Sequence, residues 1–215
     1  MKISVLGIGR MGAGIAASVL RAGHELVVWN RTAAAMEPLI EAGAAWAATP
    51  REAVAGCEIA CTMLANDAAL AAVLDGDDGL LAGLAAGALH VSLSTISPAA
   101  ATKATEQHVA RGQRFVAAGA FGRPDRAING TLSIVAAGDN ADLHHAAPLF
   151  DAIAQRVISV GTVPAAACLA KLCGNFMLFA TVEAIAEAMA LAERGGVTRE
   201  AMQQVLVGTN IDSIA

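Results

Sequence analysis

Most of this 215-residue chain alternates between two hydrophobic periods, and no other feature narrows its fold as much. Short β-rich apolar runs occur at Lys2–Gly7, Glu25–Trp29, Glu58–Leu64, Ala88–Leu93, Arg114–Ala118, Leu132–Ala137 and Arg156–Val160. Ala-rich stretches of helical character separate most of them: Met11–Ala22, Ala33–Ala42, Asp67–Leu74, Pro98–Arg111 and Ala141–Ala154. Alternation of this kind predicts an α/β fold, a doubly wound and mainly parallel sheet with helices on both faces. The Arg114 and Leu132 runs are joined by a Gly-rich loop with no helical signal, so part of the sheet is expected to be antiparallel. A 56% hydrophobic, 15% charged composition supplies apolar material for two faces and excludes disorder as the dominant state.

The pattern changes near residue 163. Ala165–Arg194 carries no strand signal, and Gly195-Gly196 supplies a stop. About 30 residues of helix would run roughly 45 Å at 1.5 Å per residue, more than a sheet domain needs. Thr198 then reads as an N-cap for Arg199–Val207. The expected division is a sheet domain at 1–162, then, at 163–215, a long helix and the start of an all-helical domain. What remains of the sequence is too short to complete that domain, so the chain is expected to be truncated or completed by a partner.

Gly7-Ile8-Gly9-Arg10-Met11-Gly12 fits G-x-G-x-x-G, following one strand and opening a helix. In that context Gly7 permits a tight turn, Gly9 lets the backbone approach a pyrophosphate, and Gly12 allows close helix–strand packing. Amides at the helix start can bond phosphate oxygens, aided by the helix dipole. The sheet domain is therefore expected to be of Rossmann type and to bind a dinucleotide. The second strand ends Asn30-Arg31-Thr32, with no carboxylate to bond a ribose 2′-hydroxyl or repel a 2′-phosphate. Arg31 can form charge-assisted bonds to such a phosphate and Thr32 adds a hydroxyl. NADP is expected over NAD.

Lys171 is one of three lysines and sits in an otherwise uncharged stretch, Ala165–Phe179. Burial there would lower its pKa. Asn175 lies one helical turn on, on the same face, and Gly174 removes bulk beside them. A proton donor and an amide beside a cofactor cleft suit carbonyl reduction; a lysine snorkelling to water fits the same residues. Tyrosine is absent, which excludes a tyrosine acid. Net charge is −5, which argues against a nucleic-acid surface. Cys57, Cys61, Cys168 and Cys173 form no zinc-like spacing and read as buried thiols, with no metal expected. His144-His145 are adjacent and cannot share a helical face. The uncharged stretch between Asp78 and Lys103 could span a bilayer by length, but its serines, Pro98 and His90 read as helix end, strand and polar loop.

Four segments in order, GIGRMG from Gly7, STISP from Ser94, GRPDRAINGTL from Gly122 and KLCGN from Lys171, resemble the β-hydroxyacid dehydrogenase family, which includes 3-hydroxyisobutyrate dehydrogenases and tartronate-semialdehyde reductases. The resemblance implies a dinucleotide-binding N-terminal domain and a long helix leading to a helical domain that aids dimerisation. It also implies Lys171 as general acid/base, with Asn175 as its companion. Ser94 and Thr95 would approach the nicotinamide and substrate, and Met63, Leu64 and Ala65 would flank the cofactor. Where the family usually has Ser-Gly-Gly in its substrate loop, this chain has Phe121-Gly122-Arg123, and Gly174 replaces a usual asparagine. Gly122 and Arg123 are the expected substrate contacts at that loop. Related imine reductases generally lack the lysine. The implied protein is a cytoplasmic, NADP-dependent homodimeric oxidoreductase of small β-hydroxyacids or semialdehydes, with neither nucleic acid nor membrane as a partner. An imine reductase or a non-catalytic dinucleotide-binding module are the alternatives.

Overall fold

The computed structural model describes residues 1–209. Eight strands form one sheet: β1 (Lys2–Leu6), β2 (Glu25–Trp29), β3 (Ala45–Trp46), β4 (Ile59–Thr62), β5 (Leu89–Ser92), β6 (Arg114–Phe121), β7 (Leu132–Ala137) and β8 (Ala154–Ser159). Their order is β3-β2-β1-β4-β5-β6-β7-β8. Strands β1 to β6 are mutually parallel, β7 runs antiparallel to β6, and β8 is parallel to β7. The mainly parallel, partly antiparallel sheet read from the sequence is thus present.

The helices are α1 (Arg10–Arg21), α2 (Glu37–Glu41), α3 (Pro50–Val54), α4 (Asp67–Leu74), α5 (Leu80–Gly83), α6 (Pro98–Val109), α7 (Pro124–Ile128), α8 (Asn140–His145), α9 (Ala147–Ile153), α10 (Pro164–Arg194) and α11 (Arg199–Gly208). Several departures from the sequence reading have local causes. The 33–42 stretch is a 3₁₀ turn at Ala33–Met36 followed by α2, with Pro38 in its first turn. The 141–154 stretch breaks into α8 and α9, where Pro148 cannot continue the preceding helix. The connection between β6 and β7 is not helix-free, because α7 starts there on Pro124 with Asp125 in its first turn. The 58–64 and 88–93 runs contain a four-residue β4 and β5, and β6 continues three residues past the expected Ala118 to Phe121. Thr198 caps α11 as expected, its hydroxyl accepting from the Ala201 amide.

Alternate side chains on each strand feed two cores. Ile3, Val5, Cys61, Val91, Ala118 and Ile134 pack on one face with Ile15 and Val19 of α1 and Leu149 of α9. Leu6, Ala60, Phe115 and Ala117 pack on the other with Val54, Leu74, Ala104 and the start of α10 at Ala167 and Cys168.

The chain divides into two compact units, Met1–Lys171 and the residues from Leu172 onward. The first turns of α10 therefore belong to the sheet unit, later than the boundary at residue 162 read from the pattern. In the second unit, the α10 residues from Leu172 carry no buried side chain, and Phe176, Met177, Leu178 and Phe179 are all more than half exposed. Cys173 is also exposed, which corrects its reading as a buried thiol; the other three cysteines are buried. By length and composition α10 could cross a bilayer, with a mean hydropathy of 1.6 over its most apolar window. Its first turns are instead buried in the sheet unit through Pro164, Ala167, Cys168 and Lys171.

Candidate active site

Because β1, β2, β4, β5 and β6 are parallel, their C-terminal ends share one edge of the sheet. The chain leaves β1 for β2 on one side and returns to β4 on the other, so the strand order reverses between β1 and β4. A crevice at such a switch point is where open α/β sheets take ligands. Gly7 follows β1 there, Asn30 follows β2, Met63 follows β4, Ser94 and Thr95 follow β5, and Phe121 ends β6.

The three glycines of the turn have different structural reasons. Gly7 has φ +98°, and a Cβ on it would run into the Met63 carbonyl. A Cβ on Gly12 would strike the Gly7 carbonyl, so this residue fixes how closely α1 packs on the turn. A Cβ on Gly9 would meet nothing within 4 Å. No steric contact within the protein requires glycine at this position; space for a ligand against the backbone accounts for it. Gly9 is also the N-cap of α1 and contributes no capping side chain, and no acidic residue lies in the first turn. The amides of Arg10, Met11 and Gly12 are thus left for an anion. The fit to a dinucleotide pyrophosphate rests on these amides and on the open Gly9 face.

Asn30 has an internal task. Its Oδ1 accepts from the Ile8 amide at 3.0 Å and its Nδ2 donates to the Thr32 carbonyl at 2.9 Å, tying the glycine turn to the β2 exit. Arg31 and Thr32 are exposed. A cleft of about 470 Å³ is bounded by Gly7, Gly9, Trp29, Arg31, Met63 to Ala65 and, on α4, Val73.

Ser94 is also committed internally. Its buried hydroxyl accepts from the Leu64 amide at 2.8 Å and donates to the Thr62 carbonyl at 3.4 Å. It holds the β4 exit, and the neighbouring Thr95 is half-buried. Behind β4 runs a second buried polar chain. Gln113 Nε2 donates to the carbonyls of Leu81 and Leu84, so its Oε1 must face His108 Nδ1 as acceptor. His108 Nε2 then accepts from His90 Nδ1, and His90 Nε2 accepts from the Thr62 hydroxyl, each at 2.9 Å. Both imidazoles are neutral: burial pushes His108 down to about 4, and burial with the neighbouring His108 pushes His90 well below its usual range. Phe115 stacks on His108 and meets His90 edge-on.

Lys171 is 8% exposed. Its aliphatic stem lies along β6, where a Cβ on Gly119 would come within 2.7 Å of the lysine Cβ. Gly119 and Phe121 are two apart on the strand and share a face. The ammonium Nζ sits 3.7 Å from the centroid of the Phe121 ring. Burial pushes the Lys171 pKa down. Among the described residues no carboxylate pairs with it. Past Phe121, Gly122 has φ +139° with Leu132 packed where a Cβ would sit, and Arg123 is exposed, 3.9 Å from Asp125. Asn175, one turn beyond Lys171 on α10, is half-buried and belongs to the second unit.

Residues 2–161 match the NAD binding domain of 6-phosphogluconate dehydrogenase. The chain belongs to the β-hydroxyacid dehydrogenase family. It is 41% identical to an uncharacterized oxidoreductase of Bacillus subtilis, YfjR, over 95% of this chain and 72% of that protein. It is 34% identical to an NAD-dependent L-serine dehydrogenase of Pseudomonas aeruginosa, over 95% and 68% of the two chains. The structure of the Mycobacterium tuberculosis 3-hydroxyisobutyrate dehydrogenase with L-serine superposes with a TM-score of 0.89 at 30% identity, over 97% of this chain and 70% of that one. The protein is therefore an NAD(P)-binding oxidoreductase.

Sequence reasoning missed three features in and around this candidate site. Gly119, a glycine inside a strand, is a recognised sign of close approach by another group, and here that group is the Lys171 stem. Phe121 stood out in the sequence only as a departure in the substrate loop; its packing on Lys171, like the His90–His108 pair, depends on contacts between distant segments.

Proposed function

We propose that the protein transfers a hydride between NADP and a small β-hydroxyacid or semialdehyde, with Lys171 as general acid/base. The observation that carries this reading is the buried Lys171 on the sheet edge that also holds the glycine turn and Thr95. Gly7 to Gly12 would hold the pyrophosphate, Arg31 and Thr32 a 2′-phosphate, Asn30 the turn itself, and Met63 to Ala65 with Thr95 the opposite wall. The dinucleotide supplies or accepts the hydride. Lys171 gives the Nζ proton to the carbonyl oxygen in reduction and takes it back in oxidation. We assign Asn175 to orienting the lysine, and Thr95, the backbone at Ser94 and Gly122, and Arg123 to holding the substrate acid group. A β-hydroxyacid fits the relatives, since L-serine is itself one. The test is turnover across a panel of hydroxyacids, semialdehydes and cyclic imines, with either cofactor. Turnover of imines alone, or cofactor binding with no turnover, would overturn the reading.

We further propose a cytoplasmic homodimer joined through the long helix. The exposed Phe176, Leu178, Phe179 and Val182 form an apolar surface of the kind that marks an interface. Light scattering at micromolar concentration should report twice the chain mass, and a monodisperse monomer would contradict it.

A further inference from the structure

The Lys171–Phe121 pair goes beyond supplying a proton donor. A buried amine with no carboxylate beside it loses its proton easily, because burial penalises the charged form alone. The groups around this one are specific. Gly119 supplies no side chain, and the α10 neighbours Ala167 and Cys168 supply no charge. Burial is the cause of the lowered lysine pKa; Asp67 acts on the adjoining Cys168 but not on Lys171, and Arg123 and Asp125, just past Phe121 in the chain, are exposed and 3.9 Å apart. One feature acts the other way. The Phe121 ring face, 3.7 Å from Nζ, attracts an ammonium through its quadrupole and has no comparable attraction for a neutral amine.

We propose that Phe121 is a positioning residue that holds the Lys171 ammonium at the end of β6 and keeps it the proton-bearing partner at neutral pH, so that the site is poised to reduce a carbonyl rather than to oxidise an alcohol. The inference rests on Lys171 being the acid. In reduction the carbonyl carbon gains a hydride from the reduced dinucleotide, and the oxygen gains the Nζ proton. The lysine is left neutral and takes a proton back from solvent. Oxidation needs the neutral amine at the start, the form the ring disfavours. The ring also fixes where the proton sits: Gly119 directs the stem along the strand and Phe121 stops its tip at the strand end.

The protein has only three lysines, Lys2, Lys103 and Lys171, so each can be followed by NMR in the full chain with isotope-labelled lysine, without cofactor or substrate. The Lys171→Arg variant assigns its signal. Phe121→Leu should move the Lys171 titration midpoint down by about one pH unit. Phe121→pentafluorophenylalanine, which keeps the ring's shape and reverses its quadrupole, should move it the same way and covers the case in which the Leu variant does not fold. The high-pH limb of kcat for reduction should move down with it, while KM changes little. A midpoint that stays put or rises in both variants overturns the proposal. A midpoint that falls while the kcat limb stays put leaves the ring's hold on the ammonium intact, but removes Lys171 as the acid and with it the reductive bias.

Discussion

At the exit of β1 the chain leaves things out: side chains are missing at Gly7, Gly9 and Gly12, and backbone amides at the start of α1 are bare. At the exit of β6 it works by putting something in, a lysine threaded past Gly119 and stopped on the Phe121 ring. Both ends use glycine, with different results. Gly12 and Gly119 clear space for the protein's own atoms, whereas Gly9 clears space for something else. The difference teaches which residues answer to the fold and which to a ligand, and under the proposed function it would separate affinity from chemistry along one sheet edge.

Removing the lysine tests that separation most severely. Lys171→Ala should lower kcat by about 10²–10⁴-fold, the usual range for a general acid, and leave NADP affinity by fluorescence titration almost unchanged. Lys171→Arg should not restore the rate, because a guanidinium holds its proton at neutral pH. A variant keeping more than about a tenth of the rate would take the chemistry away from β6.

Next in size is the far end of the cradle. Arg31→Ala should weaken NADP by about ten- to a hundred-fold, from roughly 1.5–3 kcal/mol for a hydrogen bond to a charged group, and leave NAD alone. Equal losses for both cofactors would show that Arg31 does not read the 2′-phosphate.

The glycines sharpen the contrast. Gly12→Ala should destabilise the fold by about 1–3 kcal/mol through overpacking, visible as a lower Tm without any ligand. Gly9→Ala should lower the ligand-free Tm far less, by the small cost of losing a glycine N-cap, and weaken the dinucleotide. If Gly9→Ala lowers the Tm as Gly12→Ala does, the two glycines do the same job.

A further contrast concerns the wall behind the cradle. His108 titrates at about 4 and His90 well below 6.5, so the unfolded chain binds protons that the native state refuses. The stability this confers is fully present above about pH 6.5 and is lost as pH falls toward about 4. Melting curves across that window should show Tm declining; a flat Tm would mean that the imidazoles are charged in the fold.

The cradle was far more legible in the sequence than the lysine's surroundings. A glycine turn is local, and its spacing is read from six consecutive residues, Gly7 to Gly12. The sheet was legible for a similar reason, since most strands are continuous apolar runs, buried on both faces and set between Ala-rich helical stretches. The two residues of β3 and the single turns of α3, α5 and α7 are too short to show one. Lys171 stood out as a charge in an apolar stretch, but its ring partner lies fifty residues earlier, at Phe121. Asn30 and Ser94 show a related loss. Their side chains could serve a ligand or the fold, and only the hydrogen bonds to Ile8, Thr32, Leu64 and Thr62 decide for the fold.

The chain from Gln113 to Thr62 bears on how this protein can change over generations. Two carbonyls hold the Gln113 amide in one orientation, so every proton along the row has one possible place. Replacing His90 or His108 alone strands a buried donor or acceptor on each side, costing about 1–3 kcal/mol for each orphaned group. A change at one member becomes tolerable only after a change at its neighbours, so these four positions should drift as a linked set, with strongly non-additive effects between them.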